Sequence, residues 1–201
     1  MKLVGSLTSP YVRKVRVMLA ERAIPHEFLE ESAWTATTTV PRYNPLNKVP
    51  ALALDDGTSI YDSAVITEYL DAISGGALIP ADLLARAKVR CLEALGDGIA
   101  DAGISRFLDR KREAARQDPG WQQRQLDKVE AGIGAIEKAL GGGEYLGGAA
   151  PNLGDLACAC ALFWVEFRMP EIRWRDSHPA AGRWAARMES RPSFQATKPV
   201  A

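Results

Sequence analysis

The apolar pattern of this chain changes character once, at Gly75-Gly76 with Pro80 close behind, and that change limits what it can fold into. Before the break, short runs of alternating type are interleaved with helical ones. After it, only helical spacing remains. Paired glycines followed by a proline are the punctuation of a connector. Only Gly5 and Gly57 of the 17 glycines lie before residue 75, and four of the 5 tryptophans lie beyond it. The expected organisation is a first domain over residues 1–76, a linker over 77–85 and a second domain over 86–201. Each is near the usual domain size of about 100 residues, so neither disulfides nor a metal are needed to hold a core.

The first part reads as α/β. Residues 2–7 (KLVGSL) form a strand, and Ser9-Pro10 opens a helix, with serine at the cap and proline at the first helical position. Val12, Val15, Met18, Leu19 and Ala23 follow at helical spacing, stopped by Ile24-Pro25. HEFLEE is a weaker second strand, and residues 32–48, rich in Thr, Pro and Asn, are loop. VPALAL (49–54) and TSIY (58–61) flank Asp56-Gly57, a two-residue hairpin signal. Asp62-Ser63 then starts a helix whose apolar face is Val65, Ile66, Tyr69, Leu70 and Ile73. A βαβ unit followed by ββα predicts a small mixed sheet covered by helices. Beyond the linker, helical periodicity over 82–116, 121–140, 153–168 and 178–190 predicts an all-α bundle.

Composition narrows the function. Lys+Arg (25) and Asp+Glu (25) cancel, which argues against a nucleic-acid binder held by a basic surface. Cys91, Cys158 and Cys160 make no disulfide framework and point to the cytoplasm. The longest apolar run, LACACALFWV at 156–165, is half a membrane span and reads as a buried helix. Neither a membrane partner nor a signal peptide is expected.

Three short motifs can carry chemistry. A strand that ends in a loop and enters a helix at Ser9 puts a hydroxyl beside backbone N–H groups and the positive end of a helix dipole, where an anion such as a thiolate fits. The same serine also reads as a plain cap. In Asn47-Lys48-Val49-Pro50, a cis bond would turn the Val49 backbone outward to pair with an extended peptide, whereas a trans proline would mark only a strand edge. Asp62-Ser63 is either a cap or a receiver of a ligand carboxylate. Asn152 and Asp155 read as a reciprocal capping box, and Cys158 and Cys160, two residues apart on one helix, as buried spectators. His26 and His178 lack metal-ligand spacing. Arg106, Arg110, Lys111, Arg112 and Arg116 read as a solvated helix face.

Taken together, the S-P helix start, N-P-x-x-K-V-P-A-L, the hairpin and the D-S helix start closely resemble the cytosolic glutathione transferase family, and the chain looks like a bacterial, serine-type member. The resemblance implies a thioredoxin-like α/β first domain that binds glutathione and an all-α second domain that forms much of an electrophile pocket. It implies Ser9 as the catalytic group at the glutathione sulfur and Val49, presented by cis-Pro50, pairing with the cysteinyl backbone. Asp62 and Ser63 would hold the γ-glutamyl end, and Lys48 would lie near the glycyl carboxylate. It also implies a homodimer, a hydrophobic electrophile as second substrate, and no metal or redox cofactor, since glutathione itself brings the nucleophile. Asn47 stands where the family commonly has glycine, and Thr8 competes with Ser9 for the sulfur. The stretch 99–112 and the segment near Trp174, expected to line the second substrate, carry no specificity signature. Two rivals stay open. A thiol–disulfide exchanger would need a cysteine where Ser9 stands, and a binding or regulatory protein could keep the fold without turnover.

Overall fold

The computed structural model describes residues 1–199. Two compact units emerge, one made of Met1–Leu83 with the C-terminal segment from Arg191 onward, the other of Leu84–Ser190.

The first unit is built on β1 (Lys2–Gly5), α1 (Pro10–Glu21), β2 (Glu27–Glu30), β3 (Ala51–Ala53), β4 (Ser59–Tyr61) and α2 (Ser63–Ile73). The sheet order is β2-β1-β3-β4. β1 and β2 run parallel, joined through α1, while β3 is antiparallel to both β1 and β4. This is the thioredoxin-like arrangement. α1 packs on α2, and Val12, Val15, Met18 and Leu19 of α1 are fully buried with Ile66 and Leu70 of α2 and Leu3 and Leu52 of the sheet. The hairpin differs from the two-residue turn expected. Leu54 N–H donates to Thr58 O at 2.8 Å and Gly57 N–H to Leu54 O at 3.1 Å, so three residues, Asp55 to Gly57, close the loop. Gly57 sits at φ +90°, the left-handed residue such a three-residue loop requires.

The C-terminal segment carries a short helix, α8 (Pro192–Ala196), numbered after the helices of the second unit, and it packs on α1. Arg191 forks onto Glu21 through Nε (2.8 Å) and Nη2 (2.6 Å), and Arg13 Nη2 donates to Phe194 O at 3.2 Å. The sequence places this stretch in the second domain and marks no separate helix beyond residue 190; its packing partner is the first unit.

The second unit is all helical: α3 (Leu83–Arg110), α4 (Pro119–Leu140), α5 (Leu153–Arg168), α6 (Trp174–Ser177) and α7 (Pro179–Glu189). The helical pattern over 82–116 breaks at Arg110, leaving one 3-10 turn at Ala114–Arg116. α5 is the core, with every residue from Leu153 to Val165 buried. Gly96 of α3 admits it closely, since a Cβ there would lie 2.6 Å from the Ala157 carbonyl carbon. The box at the start of α5 forms as the sequence predicts: Asn152 Oδ1 accepts from Gly154 N–H (2.8 Å) and Asp155 N–H (3.3 Å), and Asp155 Oδ2 accepts from Asn152 N–H (3.0 Å). α7 has no cap of its own. Glu137 of α4 supplies it, accepting from Ala180 N–H (3.1 Å) and Ala181 N–H (2.7 Å). Among the described residues, no helix is long and apolar enough to cross a membrane.

Candidate functional site

Strand register brings three loops to one end of the sheet. Val4 stands opposite Ala51, and Ala51 stands opposite Tyr61. The end of β1, the start of β3 and the end of β4 therefore lie in a row, about 5 Å apart per strand. From these positions depart the Ser6–Ser9 loop, Val49-Pro50 and Asp62-Ser63.

Ser9 caps α1, with extended backbone and its Oγ accepting from Val12 N–H at a long 3.4 Å. The hydroxyl oxygen is the acceptor in that bond, which leaves its own proton available to another acceptor. Gly5 brings the first turn of α1 tight against β1: a Cβ there would meet Val12 Cγ2 at 2.5 Å. No acidic residue lies in that turn to offset the dipole. Thr8, the competing hydroxyl, shares a 3.2 Å hydrogen bond with Ser6 Oγ. Ser6 escaped the sequence reading, and the signal was there in the spacing of three hydroxyls across Ser6-Leu7-Thr8-Ser9.

The Val49-Pro50 bond is cis. Among the described residues, neither the N–H nor the C=O of Val49 makes a hydrogen bond. The loop before it is held by Asn44, buried, which the sequence reading missed. Its Nδ2 donates to Lys48 O (2.9 Å) and its Oδ1 accepts from Leu46 N–H (3.0 Å). The Asn44-Pro45 dipeptide, a common turn opener, was the available signal. Asn47, where the family commonly has glycine, sits at φ +51°, a left-handed conformation that asparagine tolerates better than other side chains. Its Nδ2 anchors to Ala33 O at 3.1 Å. Lys48 is exposed, with no ion pair among the described residues.

Asp62 takes φ +71°, unusual for a residue with a Cβ, and caps α2 by accepting from Ala64 N–H at 2.8 Å through Oδ1. Ser63 follows as the first helical residue and is buried. The three loops thus present two helix N-termini, each suited to an anion, on either side of a backbone edge that lacks partners.

Several residues singled out in the sequence lie elsewhere. Cys158 and Cys160 are buried in α5, and Cys158 Sγ donates to Leu92 O at 3.3 Å. Of the basic run, Arg106 is not solvated: its side chain is 13% exposed and reaches Glu171 (3.0 Å) and Met169 Sδ (3.4 Å). Arg110 also pairs with Glu171. Glu171, which terminates both arginines, lies some 60 residues downstream, so periodicity alone does not reveal it. Among the described residues, no cluster of His, Cys, Asp or Glu could hold a metal.

Residues 8–73 match the glutathione S-transferase N-terminal domain family, and residues 119–187 match the corresponding C-terminal domain family. The chain is 38% identical over 200 residues to the uncharacterized GST-like protein YibF of Escherichia coli K12, covering 99% of this chain and 98% of the relative. The chain belongs to the glutathione S-transferase family. A crystal structure of a glutathione S-transferase from Methylobacterium radiotolerans in complex with glutathione sulfonate superposes with a TM-score of 0.95 at 39% identity, covering 100% of this chain and 95% of that one. A second glutathione S-transferase, from Methylobacillus flagellatus with GSH bound, gives a TM-score of 0.96 at 39% identity and covers 99% of both chains. The N-terminal family match spans all six residues that the resemblance nominates in this glutathione transferase family member: Ser9, Lys48, Val49, Pro50, Asp62 and Ser63.

Proposed function

We propose that this chain is a serine-type glutathione transferase that binds glutathione across the end of its sheet and conjugates it to a hydrophobic electrophile. The observation that carries the reading is the alignment of Ser9, Val49 and Asp62-Ser63 on adjacent strand ends, with the Val49 backbone groups lacking partners. An extended tripeptide pairs there by adding a short antiparallel segment. Its γ-glutamyl carboxylate meets Ser63 and the start of α2, its ammonium meets Asp62, and its sulfur meets Ser9 at the start of α1. Lys48 serves the glycyl carboxylate. The glutathione sulfonate and GSH held by the two structural relatives support this assignment.

The chemistry follows from the sulfur. A free thiol titrates near ~8.5, so little is ionised at neutral pH. A donated hydrogen bond from Ser9 and the dipole of α1 favour the thiolate, which attacks an electrophilic carbon while the leaving group departs with the bonding pair. The protein needs no metal or redox cofactor for this step. The exchanger alternative is disfavoured by Ser9 and by the positions of the three cysteines, all in the helical unit. We further propose a cytoplasmic homodimer, in which the exposed Tyr61 and Val65 beside α2 contribute apolar contact.

Retention on immobilised glutathione, followed by assay with an aryl halide, tests the reading. Retention with turnover supports it, retention without turnover favours a binding protein, and no retention overturns it.

A further inference from the structure

The loop that follows β2 is fastened at both of its ends. At its start, Glu31 N–H donates to Gly5 O at 3.0 Å, which carries the β1–β2 pairing one residue past the strands. The Glu31 carboxylate then accepts from Thr39 Oγ1 at 2.6 Å, Thr38 Oγ1 at 3.3 Å and Thr39 N–H at 3.4 Å. The Thr39 hydroxyl above all holds this carboxyl below the ordinary glutamate range, against the opposing effect of burial, so it is ionised at neutral pH. Residues 32–39 are thereby drawn into a closed loop anchored on the end of β1, the strand that leads to Ser9.

The far side of this loop leads into the backbone edge at Val49. Thr39 precedes a 3-10 turn at Val40–Arg42, and Val40 is buried with Val4 and Ala51 in a cluster on which Val49 packs. Val40 O accepts from Asn44 N–H at 2.9 Å, Asn44 O accepts from Asn47 N–H at 2.9 Å, and Asn44 Nδ2 holds Lys48 O. Asn47 Nδ2 closes the circuit by donating to Ala33 O at 3.1 Å. A φ of +51° suits glycine as well as asparagine, but only asparagine brings a donor for Ala33 O.

We infer that Glu31 and Asn47 are positioning residues, which together make loop 32–39 a brace that fixes the Val49 edge relative to the Ser9 loop and so sets the affinity for glutathione. The inference rests on the glutathione reading above, in which neither residue is assigned to the ligand. Because both act through one loop, breaking either fastening releases the same brace, and their effects do not add.

Calorimetric titration with glutathione sulfonate compares the wild type, Glu31→Gln, Asn47→Gly and the double variant. Hydrogen exchange of the ligand-free proteins, taken relative to intrinsic rates, reads the brace itself. Each single variant should bind about three- to tenfold more weakly, and the double variant no more weakly than the worse single one. Both single variants should lose protection over residues 32–39 and at the amide of residue 47. Asn47→Gly keeps the backbone conformation, so it decides the matter should Glu31→Gln fail to fold. Unchanged binding in Asn47→Gly, unchanged protection, or a double loss equal to the product of the single losses would overturn the brace and leave the glutathione reading standing. No binding by the wild type would overturn both.

Discussion

Trp184 Nε1 donates to Asp155 Oδ1 at 2.8 Å, tying α7 to the capping box of the most buried helix in the chain. The same oxygen accepts from Leu146 N–H at 2.9 Å, and Oδ2 accepts from Asn152 N–H at 3.0 Å. One fully buried carboxylate therefore gathers donors from three separate segments. Burial pushes its carboxyl above the ordinary aspartate range, against the pull of these N–H groups.

Asp155→Ala is expected to act on stability. Losing a helix cap costs about 0.5–2 kcal/mol, and each buried donor left without an acceptor adds about 1–3 kcal/mol. A chain of this size loses ~2–4 °C of Tm per kcal/mol, so a fall of several degrees or more is expected by thermal melting. Asp155→Asn should also destabilise, because its amide nitrogen turns a donor toward one of the N–H groups. Activity per folded molecule should be retained, and a variant with unchanged Tm but lost activity would contradict the structural role.

Glu21 makes the docking of the C-terminal segment sensitive to acid. Its carboxyl is held below the ordinary glutamate range, first by hydrogen bonds from Arg191, then with help from the Ser193 hydroxyl, against the opposing effect of burial. A depressed folded value means that this contribution is fully present above the unfolded value, near ~4.3, and is lost as pH falls through the folded one. Protection of the amides across residues 192–197, taken relative to their intrinsic exchange rates, should therefore fall at acid pH. Glu21→Gln should show fast exchange at every pH, by about tenfold or more. Equal protection in the variant would mean that the segment is held by Arg13 and the apolar contacts of Phe194 instead.

Ser63→Ala should raise the apparent constant for glutathione about tenfold or more, with less effect on kcat. A hydrogen bond to a carboxylate is worth about 1.5–3 kcal/mol and is made equally before and during reaction. Steady-state kinetics at varied glutathione distinguishes this from a loss confined to kcat, which would move the γ-glutamyl contact elsewhere.

How much of this was legible in the sequence depended on how local each feature is. The strand and helix order, the S-P start of α1, the D-S start of α2 and the capping box of α5 are written in residues a few positions apart, and they stand where the sequence puts them. The same motifs mark the loops of the candidate site, but only β3 and β4 are joined by a connection short enough to leave little choice of register; β1 meets β3 across α1, β2 and a long loop. Contacts between distant segments were not legible. Trp184 reaches Asp155 across 29 residues and Glu137 caps α7 across more than 40, and neither pairing leaves a periodic trace. The three-residue hairpin loop was misread because Asp56-Gly57 fits either length, and the difference lies in which carbonyl Gly57 reaches.

The central claim is that the Ser9 hydroxyl stabilises the thiolate of bound glutathione. It is tested most directly by the pH–rate profile of Ser9→Ala beside the wild type, with thiolate absorbance followed in the ultraviolet. Removing the donor should raise the pKa of the bound thiol toward its free value, at ~1.4 kcal/mol of lost anion preference per unit. Activity near pH 7 should fall about 10–100-fold, recover in large part at alkaline pH, and leave glutathione affinity nearly unchanged. A loss of equal size at every pH, or no loss at all, would contradict the account.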